Sequence, residues 1–239
     1  MSLLSVRGIV KRYGGLTAVD SVTFEVAPGE LVGLIGPNGS GKTTLLNILS
    51  GHADPNAGEI LLDGKSCHGL KPEQLAHRGV MRMFQLTRVF RRMNVVDNLL
   101  VAGRALGLGA AAATAQANAL IEELRLGVVR DLDAGQLSGG QMKLLEFGLC
   151  FMVPPRVALL DEPFAAVHPT MKEIMGAFIR SRHESGQTFI LVSHDMPVVV
   201  ELCPRSVCMN AGAVIADAPT RDVLSNTQVI EAYLGGHAA

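Results

Sequence analysis

Eight consecutive residues, Gly36-Pro37-Asn38-Gly39-Ser40-Gly41-Lys42-Thr43, have the types and spacing that wrap a chain of phosphates. Glycines let the backbone turn tightly enough for its N–H groups to reach phosphate oxygens, and a following helix adds the positive end of its dipole. Lys42 is expected to reach the β- and γ-phosphates and the Thr43 hydroxyl to ligate Mg²⁺. Together with Thr44, these residues form the candidate nucleotide-binding set. A second segment suited to phosphate, Leu137-Ser138-Gly139-Gly140-Gln141, stands further along the same chain.

Two acids and a histidine extend this chemistry. Asp161-Glu162 closes the apolar run Val157-Ala158-Leu159-Leu160, and His194 follows Phe189-Ile190-Leu191-Val192-Ser193. Asp161 is placed to hold the hydration shell of Mg²⁺, and Glu162 to polarise an attacking water as general base. Each has a bland reading when taken alone: a solvated acid pair at a strand end, or a structural histidine. Their shared position after buried apolar runs favours the chemical one.

Strands must deliver these groups. Leu31-Val32-Gly33-Leu34-Ile35 precedes the glycine-rich loop and Thr44-Leu45-Leu46-Asn47-Ile48-Leu49 follows it, giving strand, loop and helix. The short, uninterrupted runs before Asp161 and His194 predict strands buried on both faces of an α/β sheet, whose ligands gather outside the carboxyl ends. Val22, Phe24 and Val26 alternate with polar residues, and Gly58 to Gly64 reads as a short strand between turns, so an antiparallel subdomain is expected beside the core. From about Asn94 to Gly135 the pattern is helical, with Ala110–Ala119 rich in the best helix former. Val207-Cys208-Met209 and Ala213-Val214-Ile215 flank Asn210-Ala211-Gly212 and predict a hairpin.

Taken in order, these motifs resemble those of the nucleotide-binding subunits of ABC transporters. Gly36–Thr43 resembles the Walker A loop, Gln85 after Phe84 the Q-loop, Leu137–Gln141 the signature, Val157–Glu162 the Walker B strand and His194 the H-loop. Tyr13, in Lys11-Arg12-Tyr13-Gly14-Gly15, matches the aromatic that stacks on adenine, although a tyrosine taken by itself is more often ordinary packing. The resemblance implies a P-loop NTPase (RecA-like) core with an antiparallel β-subdomain and an inserted α-helical subdomain near 86–145, all in one ATPase domain over residues 1–239. It implies ATP and Mg²⁺ as cofactors, with Gln85 joining Thr43 and Asp161 at the metal, and Lys42, Gln85, Glu162 and His194 as catalytic residues. It further implies that Ser138, Gly139, Gly140 and Gln141 cover the ATP of a second ABC ATPase subunit, in a homo- or heterodimer stacked head to tail. Transmembrane permease subunits would be the mechanical partners, and a periplasmic substrate-binding protein an indirect one.

Some positions depart from the family pattern. Ala165-Ala166-Val167-His168-Pro169 stands where many members have Ser-Ala-Leu-Asp-Pro, so His168 takes the usual acidic place in the D-loop. Phe164 replaces a common threonine, and Met142-Lys143 follows the signature. None of these removes a catalytic group, so ATP hydrolysis is expected.

Leu86 to Leu100 and the ending Val229 to Gly235 look like the import ATPases for branched-chain amino acids. Urea and short-chain amide importers and the lipopolysaccharide-export ATPase are similar, and a soluble ABC ATPase of cluster assembly is a more distant alternative. Composition predicts a soluble, cytoplasmic chain, and the resemblance implies that it works at the cytoplasmic face of the inner membrane. A net charge of −1 without a basic run gives no reason to expect nucleic acid as a partner. Hydrophobic residues make up 48%, yet no run reaches the roughly eighteen needed to span a bilayer. The N-terminal residues lack the apolar core of a signal peptide. Cys67, Cys150, Cys203 and Cys208 read as reduced structural thiols, and His68, His77, His183 and His237 as solvated side chains.

Overall fold

The computed structural model describes residues 2–85 and 88–235, so Leu86, Thr87 and His237 lie outside the described residues. The chain begins with the antiparallel pair β1 (Leu4–Tyr13) and β2 (Leu16–Val26), then β3 (Leu31–Ile35) and α1 (Lys42–Leu49). β4 (Ala57–Leu62), β5 (Lys65–Ser66), α2 (Pro72–His77) and β6 (Val80–Met83) follow. Helices α3 (Val95–Ala105), α4 (Ala110–Glu123) and α5 (Gly139–Leu149) separate β6 from β7 (Val157–Asp161). The remainder runs α6 (Pro169–Glu184), β8 (Thr188–Val192), α7 (Met196–Leu202), β9 (Arg205–Asn210), β10 (Ala213–Pro219), α8 (Thr220–Ser225) and α9 (Thr227–Gly235).

Two sheets result. β2-β1-β4-β5 is antiparallel, and its β1–β2 turn at Gly14-Gly15 sets Tyr13 opposite Leu16. The larger sheet has the order β10-β9-β3-β8-β7-β6, in which β9, β3, β8, β7 and β6 run parallel and β10 pairs antiparallel with β9. Every residue of β3, β7 and β8 is buried, as uninterrupted apolar runs require of strands covered on both faces.

Alternation along those strands feeds two cores. Val32, Leu34, Val157, Leu159, Ile190 and Val192 face the core shared with β1, β2 and α1. Their neighbours Leu31, Ile35, Ala158, Leu160, Phe189 and Leu191 face the core shared with α3 to α6, where the rings of Phe147, Phe151 and Phe178 meet tilted or edge-on at about 5 Å. The expected hairpin forms with Ala213 opposite Asn210, leaving Ala211 and Gly212 as a two-residue turn with φ of 46° and 87°. All four cysteines are buried and unpaired. His68 and His77 are exposed, whereas His183 is only half-exposed on the last turn of α6. No described helix is long and apolar enough to cross a membrane.

Candidate nucleotide site

The strand order fixes the geometry of the site. β3, β8 and β7 are consecutive neighbours, so the loop after β3, His194 after β8 and Asp161-Glu162 at the end of β7 reach the same edge. A cleft of about 800 Å³ opens there, lined by Tyr13 and Leu16 from the hairpin tip, Asn38 to Thr44 from the loop, and Gln85, Asp161, Glu162 and His194. Tyr13, 49% exposed, and Leu16, 67% exposed, leave an apolar ledge open to a planar ligand.

Backbone sterics explain the glycines. Gly36 has φ of 143°, and a Cβ there would sit 2.1 Å from the Met209 carbonyl oxygen; Gly41 has φ of 101°, and its Cβ would sit 2.4 Å from that of Ala18. In this structure Lys42 turns back into the loop, its Nζ donating to the carbonyls of Gly36 at 2.7 Å and Pro37 at 2.9 Å and to Ser40 Oγ at 3.2 Å. Burial lowers the Lys42 pKa from its ordinary value, while Glu162, Cys208 and Asp161 pull it upward. The loop is a preformed cradle of oxygens around a cation, and a phosphate chain is the ligand that would draw the ammonium outward. Pro37 and Asn38 also border a second cleft against α9, and Gly36 is buried beneath the loop.

Glu162 occupies the left-handed region at φ of 51°, uncommon for a residue with a side chain. Its N–H donates to the Val192 carbonyl at 3.0 Å, which ties it to the end of β8. Its Oε2 lies 2.9 Å from His194 Nδ1 and accepts from the His194 N–H at 3.4 Å. The two candidate catalytic side chains therefore meet within one chain. Lys172 on α6 holds the next residue, its Nζ 2.7 Å from Asp195 Oδ2, and this hydrogen bond keeps the Asp195 carboxyl below its ordinary range.

Asp161 is buried and already has a partner. Arg82, on β6, donates to its Oδ2 at 2.9 Å, to Asn47 Oδ1 on α1 at 2.6 Å and to Ser50 Oγ at the C-cap of α1 at 3.0 Å. Thr43, Gln85 and Asp161 bring a hydroxyl, an amide and a carboxylate to one cleft, a set of hard oxygen donors suited to Mg²⁺ beside phosphates. Gln85 is exposed, and its carbonyl accepts from buried Lys143 Nζ at 3.0 Å. Glu146, one turn on in α5, accepts from the Arg88 N–H at 3.2 Å. Two charged side chains of the signature helix thus grip the main chain on either side of 86–87.

Ser138, Gly139, Gly140 and Gln141 do not line the cleft. Ser138 caps α5: its Oγ accepts from the Gln141 N–H at 3.3 Å, and Gln141 Oε1 accepts from the Ser138 N–H at 2.9 Å. Ser138 and Gly139 are exposed, and nothing stands within 4 Å of a Cβ built on Gly139, whereas Gly140 rests on Met171. His168 caps α6 through Nδ1, accepting from the Thr170 N–H at 3.4 Å ahead of Pro169. That cap accounts for His168 within its own chain.

Arg82, Lys143, Glu146 and Tyr233 touch these motifs without having been singled out by spacing. The Tyr233 hydroxyl on α9 accepts from the Gly36 N–H at 2.8 Å, and burial pushes its phenol up to about 12, so it stays protonated. A basic residue inside the apolar run Val80-Met81-Arg82-Met83 was the signal available for Arg82.

Known proteins agree with this geometry. The family described as ABC transporter matches residues 19–165, and that described as branched-chain amino acid ATP-binding cassette transporter matches residues 213–239. The chain is 38% identical to the high-affinity branched-chain amino acid transport ATP-binding protein BraF of Pseudomonas aeruginosa and likewise 38% identical to LivG of Escherichia coli K12. Each match covers 98% of both chains. A nucleotide-free ATP-binding cassette from an ABC transporter superimposes with a TM-score of 0.87 at 30% identity, covering 97% of this chain and 98% of that one. The ADP conformation of another such cassette gives 0.86 at 31% identity, covering 98% and 99%.

Proposed function

The chain belongs to the ABC transporter family of ATP-binding proteins, and from that premise we propose that its ATP hydrolysis drives uptake of branched-chain amino acids through separate membrane subunits. ATPase activity follows from the family. The substrate assignment is supported by near full-length similarity to BraF and LivG and by the match over 213–239. On this reading the chain sits peripherally at the cytoplasmic face of the membrane, attached through its permeases by the helical subdomain near 86–145.

One observation carries the chemistry, the contact of Glu162 with His194 at the mouth of the cleft. In the proposed reaction the adenine stacks on Tyr13, the N–H groups of Asn38 to Thr44 hold the phosphates, and Lys42 leaves its carbonyl partners for the β- and γ-phosphate oxygens. Glu162 takes a proton from water as the water oxygen bonds to the γ-phosphorus, and the bond from that phosphorus to the bridging oxygen of ADP breaks. His194 holds the Glu162 carboxylate through Nδ1 and orients it. Thr43, Gln85 and Asp161 would hold Mg²⁺, which when bound offsets the charge of the phosphate oxygens.

In the same reading Ser138, Gly139, Gly140 and Gln141 complete the site of a second ATPase subunit. The exposure of Ser138 and Gly139, and the absence of all four from the lining of this chain's own cleft, support that assignment. The decisive experiment is uptake of labelled leucine, urea and a short-chain amide by cells lacking this chain, with and without its return. Leucine uptake lost and restored is the expected result; an unchanged leucine uptake with loss of urea or amide uptake would overturn the substrate.

A further inference from the structure

Arg82 joins three parts of the site through one side chain. Its side chain is 5% exposed, and its guanidinium contacts Asp161 on β7, Asn47 on α1 and Ser50 at the C-cap of α1, and lies 4.8 Å over the ring of Phe84, the residue before Gln85. A buried carboxylate needs a counter-charge, because removing an ion from water costs several kcal/mol unless it is paired. Before nucleotide arrives, Arg82 supplies that charge to Asp161.

The same carboxylate is the one assigned above to Mg²⁺, on which the present inference rests. Two cations then compete for one anion. A guanidinium hydrogen-bonded to Asp161 offsets part of the attraction that the carboxylate offers a second cation and repels a divalent ion directly. We propose that Arg82 is a resident counter-cation that keeps the divalent metal from occupying the site until phosphate oxygens arrive, making metal binding conditional on ATP. Arg82 acts through Asp161 and is a positioning residue, with no contact to the reacting atoms implied. Its bonds to Asn47 and Ser50 hold the guanidinium in place as the metal enters, so the ion pair persists with the metal on the cleft side of the carboxylate.

Manganese titration followed by electron paramagnetic resonance tests this on the full chain, with and without ATP, in the hydrolysis-blocked Glu162→Gln background. With Arg82 present, nucleotide-free Mn²⁺ binding should be weak, and Arg82→Met should tighten it by about tenfold or more. Adding Asp161→Asn should abolish the gain, and Arg82→Lys should restore weak binding, because charge and not shape is what matters. If Arg82→Met fails to fold, Arg82→Gln removes the charge while keeping polar reach to Asn47 and Ser50, and carries the same expectation. Nucleotide-free Mn²⁺ affinity unchanged in the neutral variant, with Asp161→Asn still weakening Mn²⁺ binding in the presence of ATP, would overturn the role of Arg82 and leave Asp161 at the metal. No effect of Asp161→Asn with ATP present would overturn the metal assignment itself, and this inference with it.

Discussion

The loop before α1 and the start of α5 use the same physics, glycines at a helix N-terminus, yet they end in opposite conditions. Around Lys42 the chain builds a floor and sides: Met209 and Ala18 press on Gly36 and Gly41, Tyr233 satisfies the Gly36 N–H, and the neighbouring strand ends carry Glu162 and His194 to the same cleft. Around Ser138 there is a finished cap, with Gly140 resting on Met171 and Gly139 facing open space. A phosphate placed at the first can be held by this chain alone. At the second it would be held from one side, which is what a contribution to another subunit's site requires.

The largest test of that contrast is Glu162→Gln, which should lower kcat for ATP hydrolysis by about a hundredfold or more while fluorescent-nucleotide binding is kept. Hydrolysis near the wild-type rate would remove Glu162 from its place on the self-contained side. Next, Ser138→Arg should abolish ATP-dependent dimerisation in light scattering and cut hydrolysis by about tenfold or more, with ATP affinity of the single chain changed by no more than about threefold. If dimerisation is untouched, the open helix end is not an interface.

One substitution made on both sides sharpens the comparison. Gly41→Ala should cost about 1–3 kcal/mol in denaturant unfolding and weaken ATP binding, because it combines a positive φ with a clash against Ala18. Gly139→Ala should stay within about 0.5 kcal/mol of wild type, since its Cβ meets nothing.

The contrast between the two ends was legible in sequence only in part. Contiguous patterns such as Gly36–Thr43, and apolar runs ending in Asp161 or His194, could be read because spacing alone implies strand, loop and edge. Arg82 with Asp161 and Tyr233 with Gly36 are separated by 79 and 197 positions, and nothing in the local pattern of either partner announces the other. His168 was visible as a departure, while its capping of α6 depends on a rotamer that sequence does not encode.

The smallest expected effect concerns the support of His194. Lys172 depresses the Asp195 carboxyl, so the stability from this pair is complete above the unfolded pKa of about 3.9 and fades as pH falls through the lower folded value. Lys172→Met should therefore lower Tm by about 2 °C at neutral pH, with the difference from wild type vanishing in acid. A difference that grew in acid would reverse the sign and deny the pairing.

The bond between Tyr233 and Gly36 also sets an order of events in the making of the protein. β3 lies between β8 and β9, and its loop is finished by a hydroxyl 197 positions later, so the ribosome delivers the glycine-rich loop long before the segments that shape it. A nascent chain carrying only its first half holds the nucleotide motif without its strand neighbours. Competence to grip ATP arrives only once the chain has been made as far as Tyr233, and products truncated before it should therefore compete poorly for nucleotide in the cell.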